Sequence, residues 1–503
     1  MVQELFRAAA CLHGGNTAVV GHSGRLSYRQ LEREALRLAR ELRRVGASRG
    51  DRVAVMMANS AEAAIAIWAT FEAGCVLVPL HAATRPDDLV TVLRDAEPRW
   101  IITGRELAAT IPPLVEAVPG IERGLGWTRT GAEAATSGDR VQNWCLQPDD
   151  DELPGDSDHE APRAPPGGLA ALIYTSGTTG EPKGVMLTHA NMRAALSSVN
   201  EYLRVGCTDV VYSPLPLSSS YGLYQLLLAL SVGATVVLDR TFAFPAQSLS
   251  LIARERATVF AAVPTMFAWL AATPTLGQFD LSSLRILTSA AAPLPLEHAR
   301  RLRERLPHAR LYVMYGQTEC KRISYLDPGD WALKPGSVGR GMFGQQHRIV
   351  DDDGHAVAAG EIGELVVRGP HVMQGYWRKP EATRLKLRAV PGEPGRWLHT
   401  GDLFTSDEDG YLHFVSRRDE LLKVGGHKVS PREVEDVLCQ MPEVREAAVV
   451  GVPHPEWGEA VQAHIVLQDG AQCDAAAVAR FCKRRLRGYI GPKGVVFPPD
   501  LAP

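Results

Sequence analysis

No stretch of this chain is apolar for long enough to cross a bilayer, since a run of roughly 18 uninterrupted apolar residues is nowhere found. The opening MVQELFRAAACLHGG also lacks the basic start and long apolar core of a secretory leader. Clustered cysteines are missing too. Cys11, Cys75, Cys145, Cys207, Cys320, Cys439, Cys473 and Cys482 are scattered, with no C-x-x-C pair and no cysteine–histidine clustering of the zinc-site kind. That excludes a zinc site of the usual spacing and points to a reducing cytoplasm. Charge of one sign is not in excess: the formal net charge is −3, so neither nucleic acid nor an anionic membrane is implied as a partner. What is present is 503 residues, 45% hydrophobic and 22% charged, enough for two or more soluble domains.

The chain alternates between helical and strand-like periodicities. Ser27 and Gln30 make a capping-box pattern, Leu31, Ala35, Leu38 and Leu42 form one apolar stripe, and Gly46 ends the helix. β-like runs at 53–57 and 76–79 flank an Ala-rich helix over 61–73, which suggests βαβ units and a parallel sheet. Residues 146–168 interrupt this rhythm with seven acidic residues and five prolines, and read as an exposed loop. From 171 the alternation resumes in a second series, with runs at 171–175, 234–238, 259–263, 285–289 and 310–315. Beyond 336, Gly-punctuated segments suggest hairpins or a small barrel. From about 418 a small unit follows: a helix from Pro431, strands at 445–452 and 460–467, and a helix near 474–487.

The strongest chemical signal is Tyr174-Thr-Ser-Gly-Thr-Thr-Gly-Glu-Pro-Lys-Gly184. Its glycines let backbone N–H groups approach an anion, its hydroxyls add donors and its lysine adds charge, so the loop suits a triphosphate. A Walker loop is excluded, because Pro182 precedes Lys183 and Gly184 follows it.

YTSGTTGEPKGVMLTH closely resembles the phosphate-loop signature of the adenylate-forming superfamily, which includes acyl-CoA synthetases, amino-acid-adenylating domains and luciferases. The resemblance continues in order through YGQTE at 315–319, GELVVRGPHVMQGYW at 363–377, HTGDL at 399–403 and SRRDELLKVGGHKVSPREVE at 416–435. It implies an α/β fold with a large ATP- and acyl-binding domain over 1–417, built of two βαβ-type subdomains and a small β-barrel-like part. A small mobile α/β domain over 418–503 follows, hinged near Asp419. The implied cofactors are ATP and Mg²⁺, with coenzyme A, or the phosphopantetheine of an acyl or peptidyl carrier protein, as acceptor for a carboxylic acid.

Carried over by position, the resemblance implies that Thr175, Ser176, Gly177, Thr178, Thr179, Gly180 and Lys183 hold the ATP phosphates. Tyr315 would stack on adenine, with Ala291 and Met314 among the nucleotide positions, Thr318 on the α-phosphate and Glu319 on Mg²⁺. Asp402 would accept both ribose hydroxyls and Arg417 would contact the ribose and phosphate edge. Lys423 would face the adenylate, while Gly425 and Gly426 either line a pantetheine tunnel or form a plain turn.

The chain also departs from the pattern. The family's small domain carries a lysine in a Ser/Asn-Gly-Lys loop just beyond a segment like GPKGVVFPPDLAP, and no such loop occurs up to Pro503. A tail carrying it is the expectation. A nucleotide-binding protein without adenylation activity is the competing one. On the acyl side, Ser219 stands where a histidine is common, beside Tyr221, and the aspartate that grips an α-ammonium is absent, which argues against an α-amino acid. Ala291 and Ala292 leave room for a chain or ring of moderate bulk. After Glu319, Cys320, Lys321 and Arg322 replace the small residues common there. The two cations either meet an acidic substrate or CoA phosphates, or form a solvated surface, and Cys320 has no activating histidine in sequence.

Overall fold

A computed structural model describes residues 1–128, 141–145, 167–175, 181–424, 427–454, 457–468, 470–486 and 491–499. Most of the acidic, proline-rich 146–168 segment lies outside the described residues.

The helix Tyr28–Arg44 forms as its sequence dictates. Ser27 Oγ accepts from the Gln30 N–H, the Gln30 side chain returns the bond, and Leu31, Ala35, Leu38 and Leu42 are buried. An amphipathic helix that the sequence reading passed over, Val2–His13, precedes it. Phe6 stacks on Trp68 at 4.7 Å, and Arg7 Nε donates to the buried Glu72 carboxylate at 2.9 Å. These contacts fasten the first helix to Ala61–Glu72, whose small side chains leave it buried on nearly every side.

Two mostly parallel sheets carry the large domain. The first runs Gly375–Tyr376, Lys183–Thr188, Leu169–Thr175, Val76–Leu80, Arg52–Met56, Trp100–Gly104, Arg123–Thr128, Val141–Cys145. The second runs Arg340–Gly341, Ser324–Leu326, Arg310–Tyr315, Ile286–Ser289, Val259–Ala262, Val210–Ser213, Thr235–Leu238, Thr17–Gly21, Gly24–Ser27. Both βαβ series are therefore present, but membership is exchanged between them. The run at 171–175, read as the start of the second series, pairs with Val76–Leu80 in the first sheet, and Thr17–Gly21 pairs with Thr235–Leu238 in the second. Spacing along a chain sets strand type, and packing of crossovers sets strand order.

The Gly-punctuated region forms hairpins. Gln346–Val350, Gly363–Arg368, Trp397–Ser406 and Leu387–Arg388 make an antiparallel path, with Leu412–Arg417 also on Trp397–Ser406. Among the described strands, no ladder pairs the end strand Leu387–Arg388 with Gln346–Val350. The C-terminal α/β unit has the hairpin Val444–His454 and Gly458–Leu467, covered by the helices Pro431–Leu438 and Ala475–Lys483 around its own apolar core. No helix among the described residues is long and apolar enough to cross a membrane. Cys11, Cys75, Cys207, Cys320, Cys439, Cys473 and Cys482 are free.

Candidate active site

Parallel strands deliver loops at their carboxyl ends, where ligands of α/β sheets bind. Ile286–Ser289 and Arg310–Tyr315 are parallel neighbours, and the chain leaving them supplies Ala291, Ala292, Gly316, Gln317 and Glu319 to a cavity of about 1060 Å³. Thr175 and Lys183 reach the same cavity from the other large sheet, where they stand opposite each other in register. Ala291 holds φ +78°, a left-handed conformation that few alanines adopt.

The cavity wall is tied together through Tyr376. Its strand pairs with Lys183–Thr188, its hydroxyl donates to Glu319 Oε1 at 2.7 Å, and its ring lies 5.8 Å from Lys183 Nζ. The Glu319 carboxylate and the Lys183 ammonium thus share one cavity, as a phosphate group with a hard cation needs.

Asp402 is 5% exposed and has two unlike oxygens. Oδ2 accepts from Tyr315 Oη at 2.5 Å and from Gln317 Nε2 at 2.9 Å. Oδ1 is buried and has no hydrogen-bond partner, and Arg417 Nε stands 3.8 Å away, beyond hydrogen-bond reach. Burial raises the Asp402 carboxyl above the usual carboxylate range, against the donors Tyr315 and Gln317. Burial and the adjacent Asp402 push Tyr315 well above the usual phenol range, so it remains a donor. A buried carboxylate oxygen left bare beside a cavity fits a polar ligand with hydroxyls to donate.

Behind it, Glu364 accepts from the Gly401 N–H at 2.9 Å and stands 3.1 Å from His399 Nδ1, fixing the turn that carries Asp402. Lys386 Nζ donates to Thr400 O at 2.7 Å and lines the cavity. Glu364, Lys386 and Gln317 received no role from sequence. Gln317 and Glu364 lay inside quoted motifs, whereas Lys386 carries no local signal.

Residues 6–377 match the AMP-binding enzyme family and residues 433–502 its C-terminal domain. The chain belongs to the AMP-binding enzyme family. This AMP-binding enzyme is 36% identical over 498 residues to a feruloyl-CoA synthase of Amycolatopsis sp, covering 97% of this chain and 92% of that one. It is 33% identical over 521 residues to a long-chain-fatty-acid–CoA ligase of Salmonella typhimurium, covering 99% and 91%. The solved anthranilate CoA ligase AuaEII with anthranoyl-AMP superimposes with a TM-score of 0.87 at 28% identity, covering 99% of this chain and 93% of that one. The enzyme is accordingly an AMP-forming acid–thiol ligase that works with ATP, Mg²⁺ and a thiol of the coenzyme A type.

In this AMP-binding enzyme Met314, Tyr315, Arg417 and Asp419 also line the cavity. Ser176, Gly177, Thr178, Thr179, Gly180, Gly425 and Gly426 lie outside the described residues. Lys423 is exposed, with its backbone N–H on Glu459, and is not among the cavity residues. Ser219 caps the helix Ser220–Ser231, accepting from the Gly222 N–H at 3.0 Å. Tyr221 Oη donates to Thr288 O at 2.9 Å. Thr318 Oγ1 lies 3.5 Å from Ser220 Oγ. Cys320 is buried and its thiol is pushed up to about 12 by burial, so it is no nucleophile. Lys321 and Arg322 are buried as well, which rules out a solvated cation surface.

Proposed function

We propose that the cavity is the adenylation centre of a carboxylate–coenzyme A ligase, with the half-satisfied Asp402 carboxylate as the observation that carries the assignment. Its bare Oδ1 takes the ribose hydroxyls of ATP while Tyr315 and Gln317 hold the other oxygen in place. Tyr315 presents its ring to adenine, with Ala291 and Met314 among the nucleotide positions, and Arg417 meets the ribose and phosphate edge. Lys183, Thr175 and residues 176–180 hold the phosphates, with Thr318 on the α-phosphate.

A carboxylate oxygen of the acid attacks the α-phosphorus, and the bond to pyrophosphate breaks. The carboxylate is already a competent nucleophile, so no general base is needed; the residues position the groups and offset charge. Glu319 would hold Mg²⁺, which would supply positive charge to offset that of the departing pyrophosphate. The coenzyme A thiol then attacks the acyl carbon, giving up its proton to solvent; the bond from that carbon to the bridging oxygen breaks, and AMP leaves with that oxygen and the electron pair. Coenzyme A is preferred over a carrier protein because the relatives named above are CoA ligases and synthases.

The domain boundary falls between 417 and 418. Rotation about Asp419 brings Lys423 to the adenylate and Gly425-Gly426 to the pantetheine. Ser219, Tyr221, Ala292 and Cys320 stand on the acyl side, and the enzyme works in the cytoplasm. The test is ATP–pyrophosphate exchange dependent on an added carboxylic acid. Glu319→Ala and Lys183→Ala each abolish exchange with unchanged circular dichroism; near-normal exchange in both refutes the phosphate assignment, and no exchange by the unaltered protein with any acid refutes the activity.

A further inference from the structure

Immediately after Glu319 the chain buries two cations side by side. Lys321 is 6% exposed and Arg322 is 2% exposed. Neither has an ion pair with a carboxylate among the described residues. Lys321 Nζ donates to the Ser220 carbonyl at 3.2 Å and lies over the rings of Tyr221 and Tyr224, 5.0 and 4.7 Å from their centroids. The Arg322 guanidinium lies 5.2 Å from the Tyr221 ring centroid, and its Nε is buried with no hydrogen-bond partner.

The backbone holds this arrangement under strain. The Arg322 N–H bonds the Cys320 carbonyl at 2.7 Å across a three-residue turn whose centre, Lys321, has φ +62°. Such a turn is rare for a residue with a side chain, and strain of this kind collects at ligand sites. The turn is pressed against the nucleotide loop, since a Cβ on Gly316 would lie 2.5 Å from Lys321 O and 2.6 Å from Arg322 Cα. A desolvated, unpaired cation pair weakens the fold unless an anion completes it.

We propose that Lys321 and Arg322 determine acid specificity, and that the acid this enzyme activates carries a second carboxylate, which they bind. The substrate class is a short dicarboxylic acid, an assignment that rests on the adenylation reading above. Ser220 joins the two ends of the site: its carbonyl holds Lys321, and its hydroxyl lies 3.5 Å from Thr318 Oγ1, the proposed α-phosphate contact. Neither cation is itself among the residues that line the cavity; Ser220 is what links them to the proposed reacting end, as a second group on the acid requires and a coenzyme A phosphate does not. Tyr221 and Tyr224, both buried, close over the ammonium and favour a short bridge between the carboxylates. An ammonium and a guanidinium together match one carboxylate with charge-assisted hydrogen bonds.

The test is acid-dependent ATP–pyrophosphate exchange by the full-length protein with succinic, glutaric and adipic acids, each against its monomethyl ester. The ester keeps the chain and one carboxylate but loses the second charge. At least one diacid is expected to exceed its ester by about 100-fold in kcat/KM, the size expected when a buried charged partner is left unpaired. Lys321→Met and Arg322→Met each narrow that gap by weakening the diacid. Lys321→Met also raises the melting temperature, because it removes an unpaired buried charge, whereas a purely structural cation would lower it. Esters or simple fatty acids exceeding the diacids in the unaltered protein overturn the proposal and leave the adenylation reading standing. Folded Lys321→Met losing exchange with monoacids and diacids alike overturns it too, by placing Lys321 on the reacting carboxylate. Exchange with no acid at all overturns both readings, and the diacid–ester comparison needs no variant to fold.

Discussion

Asp402 accepts twice on one oxygen and not at all on the other, so the two edges of its carboxylate do different work. Asp402→Asn replaces one acceptor with a donor, and is expected to raise KM for ATP by about 10–100-fold, the range for losing hydrogen bonds to a charged group, with the fold intact. Steady-state kinetics at saturating acid checks this, and an unchanged KM would move the ribose elsewhere. His371 makes a stability prediction. It is buried, its Nε2 has no partner, and burial lowers its pKa to about 4. The folded protein therefore holds that proton more weakly than the unfolded chain, whose histidine titrates near 6.5. Its neutral form costs nothing above that pH, and stability is lost as pH falls from 6.5 towards 4, by about 3 kcal/mol at the limit. Urea unfolding of the unaltered protein and His371→Leu across that window is the measurement: the unaltered protein loses more, and a pH-independent difference contradicts the assignment. At this scale YGQTE and HTGDL were legible because their residues are local in sequence. Lys386 was not, because it becomes a site residue only where it reaches the Thr400 carbonyl from a different segment.

Elements were legible wherever one face of the chain repeats. The capped helix Tyr28–Arg44 and the strand Arg310–Tyr315 stand where periodicity predicts them. The exchange of Leu169–Thr175 and Thr17–Gly21 between sheets was not legible, since either strand is equally apolar wherever it pairs. Close approach between elements also escapes sequence. Gly316 admits the 320–322 turn only because it has no side chain, so Gly316→Ala must displace backbone. We expect a loss of about 1–3 kcal/mol in unfolding experiments, with the KM for the acid raised more than that for ATP. An effect confined to ATP would show that the turn and the acid are uncoupled.

For the whole molecule, the small C-terminal unit borders the cavity through Pro431, Arg432, Val449 and Glu459, and the proposed rotation about Asp419 would make the two half-reactions depend on it differently. Asp419 lies between the strands Leu412–Arg417 and Leu422–Val424, and a proline there fixes φ near −65°. Asp419→Pro should change the ratio of ATP–pyrophosphate exchange to acyl-coenzyme A formation by about 10-fold or more, as gating by a hinge implies. Equal loss of both would mean that one arrangement serves both steps. From its sequence alone this protein was determined to be an adenylate-forming enzyme, because its phosphate loop, YGQTE and HTGDL are contiguous segments whose chemistry lies in residue type and spacing. Only the tertiary structure decided how Lys321 and Arg322 are used. Charge is a property of the residue, but burial without a counter-ion depends on what the tyrosines of a distant helix and the Gly316 loop bring against it.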